Sequence, residues 1–153
     1  MKTLVIVDHP QISTSIIHKR WMQELMLSPE KFEIHHLNAL YPNSEIDVAF
    51  EQQLISSFDR IVFQFPFYWF NCPPLLKKWL DEVLTYGWAY GKNSGYAFHK
   101  KEVYLAISAG IDEEEYTHMG KYKYTIEELL RPFELTFEYI KTNYRGTFIY
   151  YGL

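Results

Sequence analysis

The sequence predicts an α/β fold: a doubly wound sheet of five parallel strands in the order 2-1-3-4-5, built by one domain spanning residues 1–153. Three observations carry this. Runs rich in β-branched residues alternate with segments of helical apolar spacing, which is the signature of βαβ units with right-handed crossovers. The first run, Thr3–Val7, has no charged residue and fits a central strand buried on both faces. A chain of 153 residues is long enough for one substantial core and too short for two ordinary ones.

Taken in order, the first strand stops at Asp8-His9-Pro10, and the hydroxyl-rich stretch Gln11–Ser15 follows. Ile17, Trp21 and Leu25, with Met22 and Met26, then mark a helix that closes near Ser28-Pro29. Phe32–Leu37 reads as the second strand, Asn38–Ser44 as a loop, and Asp47–Ser57 as a second helix. Arg60–Phe65 is the third strand, and Pro66 ends it because proline cannot donate a ladder hydrogen bond. From Pro74, the residues Leu75, Leu76, Trp79, Leu80, Val83 and Leu84 recur at helical spacing, with Lys77, Lys78, Asp81 and Glu82 on the opposite face. Proline suits the first turn of that helix. Glu102–Ser108 is the fourth strand. Tyr124–Ile140 has helical spacing, with a kink or restart expected at Pro132. Thr147–Tyr151 supplies the fifth strand; the further helix that usually covers this edge is absent from the sequence, as expected of either a naturally short chain or a fragment. This strand order is the flavodoxin-like arrangement.

Composition narrows the function. The formal net charge of −4 and the absence of any long basic run argue against nucleic acid as the partner. The single cysteine cannot form an intramolecular disulfide, so a reducing cytoplasm is the expected compartment. The apolar run before Asp8 is too short for a signal peptide or a membrane span. Aromatic residues make up 18% of the chain, more than a core of this size needs, which suggests a planar ligand, a subunit interface, or both.

In this strand order, the loops after strands one, three and four meet at one crevice, where open α/β sheets bind ligands. After strand one, Ser13, Thr14 and Ser15 stand at a helix start whose free N–H groups favour an anion; an ordinary N-cap explains the same residues. After strand three, Phe67-Tyr68-Trp69-Phe70 offers a wall for a flat ring, or else a hydrophobic loop packed under the next helix. After strand four, Ser108-Ala109-Gly110 permits close backbone approach. Cys72 lies beside the aromatic loop without a His/Asp arrangement and reads as a packing residue. The six histidines lack metal-ligand spacing, so no metal site is expected, and His35 and His36 point to opposite faces of their strand. A phosphate end, a ring wall and a small-residue edge in one crevice suit FMN, and FAD would fit similarly.

DHPQISTSIIHKR, QFPFYWFNCPPLLKKWLDEVLTYGWAYG and the Ser-Ala-Gly after strand four resemble the flavodoxin-like NAD(P)H:quinone oxidoreductases. This family includes modulator-of-drug-activity, general-stress-protein and potassium-efflux ancillary oxidoreductase types. The resemblance implies an FMN- or FAD-dependent enzyme, a homodimer with flavin sites at the subunit interface, and two-electron reduction of quinones by NADPH or NADH. By position it implies that His9, Ser15, Ile16, Ile17 and His18 hold the phosphate and ribityl end. It likewise implies that Phe67, Tyr68, Trp69 and Phe70 line the isoalloxazine, and that Ser108, Ala109, Gly110 and Ile111 meet its pyrimidine edge. Tyr116 matches an aromatic near the reactive side, and Tyr122 stands where some relatives carry a proton-relaying histidine, with His118 nearby as a substitute. The chain departs from relatives that carry Asn at position 18, Gln at position 68 and Thr-Thr-Gly-Gly after strand four.

The implied reaction is ping-pong: the nicotinamide transfers a hydride and leaves, and a quinone takes its place. The other readings are a regulatory subunit docking on a membrane transporter, and a one-electron carrier of the flavodoxin type.

Overall fold

The computed structural model describes residues 1–153. The apolar runs become five strands, β1 (Thr3–Val7), β2 (Phe32–His36), β3 (Arg60–Pro66), β4 (Glu102–Ser108) and β5 (Asn143–Tyr150). They form one all-parallel sheet in the order β2-β1-β3-β4-β5. Val7 pairs with His36 and Gln64, and Pro66 pairs with Ser108, so the loops after β1, β3 and β4 leave the same edge of the sheet. The helices are α1 (Ile17–Met26), α2 (Leu37–Leu40), α3 (Val48–Ser56), α4 (Pro74–Val83), α5 (Ile126–Leu129) and α6 (Arg131–Tyr139). None is long and apolar enough to cross a membrane.

Alternation along the strands sorts their side chains between two layers. On one face, Phe63 packs against Trp79 of α4 and Phe137 of α6, and Phe65 against Phe133 of α6. On the other, α1 lays Trp21 against Phe148 of β5, ring centres 5.5 Å apart, over an apolar hollow of about 240 Å³ that Val5, Val62 and Ala106 also line. Beneath α3 and α4 lies a buried polar cluster. The wholly buried carboxylate of Glu51 accepts hydrogen bonds from His35 Nε2 at 2.7 Å, from the Tyr41 hydroxyl and from Trp79 Nε1 at 2.7 Å. Three donors compensate for the burial of that charge.

Three boundaries differ from the sequence expectations, each for a local reason. One turn of helix, α2, occupies the start of the expected 38–44 loop; four residues are too few to show a period. The restart expected at Pro132 in the 124–140 pattern is present, the helix dividing at Leu130 into α5 and α6. Thr125 and Glu128 form a capping box on α5, and Pro132 sits in the first turn of α6, where its missing N–H costs nothing. β3 runs one residue further than expected, to Pro66. β5 begins at Asn143, four residues before the expected Thr147, because the pairing with β4 shifts register between Val103 and Tyr104. Gly146 at φ 108° absorbs that bulge, and a polar stretch holding a glycine does not advertise a strand.

Candidate functional site

The site is built from the chain's exits at the carboxyl edge of the sheet. After β1 the backbone stays tied to its neighbours: Asp8 N donates to Gln64 O at 3.0 Å and His9 N to Asn38 Oδ1 at 2.8 Å. The Asp8 carboxylate, fully buried, accepts from Leu76 N at 2.6 Å and so caps the start of α4, whose own N-cap, Pro73, has no side-chain acceptor. Burial raises the Asp8 pKa against the lowering effect of its bonds to Leu76 and Asn38.

A 3-10 turn over Ile12–Thr14 then leads into α1. Ser15 Oγ accepts from His18 N at 3.2 Å, so the hydroxyl caps the helix, while the amides of Ile16 and Ile17 donate to no group of the chain. These are the free amides of a helix N-terminus, suited to an anion. His9 is prepared as a donor: Gln11 N donates to its Nδ1 at 3.1 Å, which places the proton of the neutral ring on Nε2. Burial, then the nearby His36, lowers the His9 pKa. His18 is 1% exposed, and burial with the neighbouring His9 lowers its pKa to about 3. Its Nε2 lies 2.8 Å from Ser108 Oγ, and Gln64 Nε2 donates to its carbonyl at 3.3 Å.

The loop after β3 holds the rings out by a strained turn. Asn71 N donates to Tyr68 O at 2.9 Å across Trp69 (φ 49°) and Phe70 (φ 62°), both left-handed. Consecutive left-handed residues define a type I′ turn, a place for Asn-Gly; bulky residues there cost about 1–2 kcal/mol each. Trp69 is 92% exposed, so no core packing requires it at the tip. Phe67 N is committed to Ser108 O at 2.8 Å and Tyr68 N to Pro66 O at 3.0 Å, leaving Trp69 and Phe70 as the free amides.

After β4, Ala109 N donates to Tyr150 O at 2.8 Å, while the amides of Gly110 and Ile111 have no partner in the chain. A Cβ on Gly110 would meet nothing within 4 Å, so this edge is open to close approach. Tyr116 follows, 6% exposed, its ring 4.9 Å from Tyr122 and 6.4 Å from Phe67. Tyr122 in turn meets Phe70 at 5.1 Å, and Tyr151 closes on Tyr116 at 5.8 Å. Burial, then Tyr122, raises the Tyr116 pKa.

Of the residues singled out in the sequence, the structure gathers His9 with His18 and Tyr68, His18 with Ser108, and Phe67 and Phe70 with Tyr116 and Tyr122. His118 turns elsewhere: its Nε2 lies 2.8 Å from Glu128, the carboxylate of the α5 capping box. Cys72 is buried, and burial with the Asp8 charge pushes its pKa up to about 12, so it remains a thiol. The sequence reading missed Asp8, Gln11, Asn38, Gln64 and Tyr151. Only Gln64 carried a signal, as a polar residue inside an otherwise apolar strand end.

Unpartnered amides on three loops, a partnerless buried His18 Nδ1 and open space at Gly110 fit a flavin mononucleotide with its phosphate at α1 and its ring between the other two loops. The fold and this crevice define the class, and comparison with known proteins agrees. Residues 1–153 match the model of a family described as having the flavodoxin-like fold, and the chain belongs to that family. NAD(P)H oxidoreductase YrkL of Bacillus subtilis is 50% identical over 152 residues, covering 99% of this chain and 86% of the relative. The potassium-efflux ancillary protein KefG of Yersinia enterocolitica is 40% identical over 135 residues, covering 88% and 72%. Among solved structures, general stress protein 14 of Treponema denticola in complex with FMN superimposes with a TM-score of 0.96 at 48% identity, covering 99% of this chain and 86% of that one.

Proposed function

We propose that this chain is an FMN-dependent NAD(P)H oxidoreductase that reduces quinone-like electrophiles by two electrons in a ping-pong cycle. One observation carries the reading: the free amides of Ile16 and Ile17, of Trp69 and Phe70, and of Gly110 and Ile111 stand on three loops leaving one edge of the sheet. The relatives named as NAD(P)H oxidoreductase and as an FMN complex support it.

Bound FMN would supply the capacity to take a hydride from a nicotinamide and hand it on. The chain supplies placement and electrostatics. His9, through its Nε2–H, and the amides of Ile16 and Ile17 would hold the phosphate. The exposed Tyr68, Trp69 and Phe70 would flank the ring, where a nicotinamide and then an acceptor would stack. The unpartnered amides of Trp69, Phe70, Gly110 and Ile111 would stabilise negative charge on the ring. Tyr116, backed by Tyr122, offers a hydroxyl whose raised pKa keeps it protonated and able to donate. FAD fits the same loops if its adenosine runs outward past the phosphate. Either NADPH or NADH serves as donor, and the 18% aromatic content suits a homodimer whose interface shares the site. Similarity to KefG supports a second reading, in which the same flavoprotein docks on a membrane transporter.

The test is NADPH oxidation by the FMN-loaded protein with menadione. The proposal expects turnover that needs both flavin and quinone, with parallel double-reciprocal plots. Absence of turnover with a range of quinones contradicts it.

A further inference from the structure

Met119 and Trp69, 96% and 92% exposed, are the two most exposed large apolar side chains of the chain. Each stands on a tight turn, Trp69 on the strained turn over 68–71 and Met119 on a turn over 117–120 that Gly120 N closes by donating to Thr117 O at 3.1 Å. The second turn is tied to the 3-10 turn Glu113–Glu115 before it. Thr117 Oγ1 donates to Glu114 O at 3.0 Å, Lys121 N to Glu115 Oε2 at 2.7 Å and Tyr122 N to Glu115 O at 3.1 Å. Gly120 is required for that fit, since a Cβ on it would lie 2.5 Å from Glu114 O and 2.6 Å from Glu115 O. The chain thus holds Met119 outward on a braced loop.

Both turns border the ring cluster of the crevice. Phe70, next to Trp69, meets Tyr122 at 5.1 Å, and Tyr116, from which the Met119 loop leaves, meets Tyr122 at 4.9 Å and Phe67 at 6.4 Å. Tyr124, 58% exposed, continues the apolar rim on the same loop. Resting on the quinone-reducing site proposed above, we propose that Met119, with Tyr124, makes the site selective for acceptors that carry an uncharged apolar tail. The reducible ring enters between the loops, and the tail leaves across Met119.

Three features choose this occupant. Apolar side chains braced outward beside a ligand crevice leave area in water that a tail would cover. The unbranched thioether of methionine adapts to tails of different length and branching. Asp112, Glu113, Glu114 and Glu115 precede the turn and outnumber Lys121 and Lys123 after it, and the Lys121 ammonium lies over the Tyr122 ring at 5.7 Å. A tail ending in a carboxylate is therefore repelled, and an uncharged one is not. No bond is made or broken at the tail, so its effect falls on KM and leaves kcat unchanged.

The experiment has two readouts. Methyl-¹³C labelling of methionine reports on Met1, Met22, Met26 and Met119, and Met119→Leu identifies the last signal. In the oxidised FMN-loaded protein, a decyl-substituted menadione should shift the Met119 methyl signal, menadione itself should not, and Met22 and Met26 should stay in place. In turnover, KM should fall about tenfold from menadione to the decyl analogue, the gain from covering roughly 60 Å² of apolar surface. Met119→Asn should keep wild-type kcat and KM for menadione and cut the gain from the tail to about twofold, whereas Met119→Leu should retain it. A carboxylate at the end of the tail should abolish the gain, and Glu113→Gln combined with Glu114→Gln should restore it in part. A Met119 signal that the decyl quinone leaves unmoved, or an equal tail gain in Met119→Asn and the wild type, overturns this proposal while menadione turnover leaves the flavin site standing. A protein that reduces neither quinone overturns both.

Discussion

His18 Nε2 and Ser108 Oγ, 90 residues apart in the chain, meet at 2.8 Å and tie the first turn of α1 to the end of β4. Burial, then the neighbouring His9, keeps this imidazole neutral in the folded protein, with a pKa lowered to about 3 from an ordinary value of about 6.5. The folded state therefore binds fewer protons than the unfolded chain between those values. His18 stability is fully present above about pH 6.5 and is lost as pH falls toward 3. Urea unfolding across this range should show a falling midpoint for the wild type and a shallower fall for His18→Asn.

Glu51 has the opposite problem, a charge with no water. Burial alone raises its pKa, but the hydrogen bonds from His35, Tyr41 and Trp79 outweigh burial and hold it below the ordinary carboxylate range. Its contribution is present above about pH 4.3 and is lost as pH falls through the lowered value. Glu51→Ala strands three buried donors and should cost about 3–5 kcal/mol in urea unfolding at neutral pH. A loss under about 1 kcal/mol would show that the cluster relaxes around the gap.

Trp69 should separate stability from binding. At φ 49° and 92% exposed, it strains the backbone and buries almost nothing. Trp69→Gly should leave the folded state unharmed or up to about 1 kcal/mol more stable, while FMN affinity falls about tenfold through lost ring contact. Thermal unfolding and quenching of flavin fluorescence measure the two effects.

Tyr116 was the proton-donor candidate in the sequence, with Tyr122 or His118 beside it, and the surroundings of Tyr116 and His118 differ. Tyr116 stacks in the aromatic cluster beside Phe67, whereas the His118 ring is engaged with Glu128. Tyr116→Phe should lower kcat about 100-fold with FMN affinity and Tm unchanged, the scale of losing a general acid. His118→Ala should leave turnover where it was. A drop in the His118 variant alone would reverse the assignment.

These assignments show where sequence reading reaches and where it stops. Strand order was legible because β1, β3 and β4 are mostly apolar, rich in β-branched and aromatic residues, and the crevice followed from that order. The aromatic loop and the small residues after β4 were legible because their composition is odd for solvated loops. Asp8 capping α4 from 68 residues away, and Gln11 setting the His9 tautomer, were not, since both depend on backbone N–H groups that have no letter in the sequence. The His18–Ser108 bond was hidden for a related reason. Each residue had been placed at its own loop, and only the register of β1, β3 and β4 brings the loops within bonding distance.

The most direct test of the account is an anaerobic titration of the FMN-loaded protein with NADPH, followed by visible absorption. The account predicts that flavin copurifies or binds at one per chain and that its oxidised band bleaches completely with one equivalent of NADPH, returning when a quinone is added. A protein that binds no flavin, or whose flavin band NADPH leaves unchanged, would contradict it.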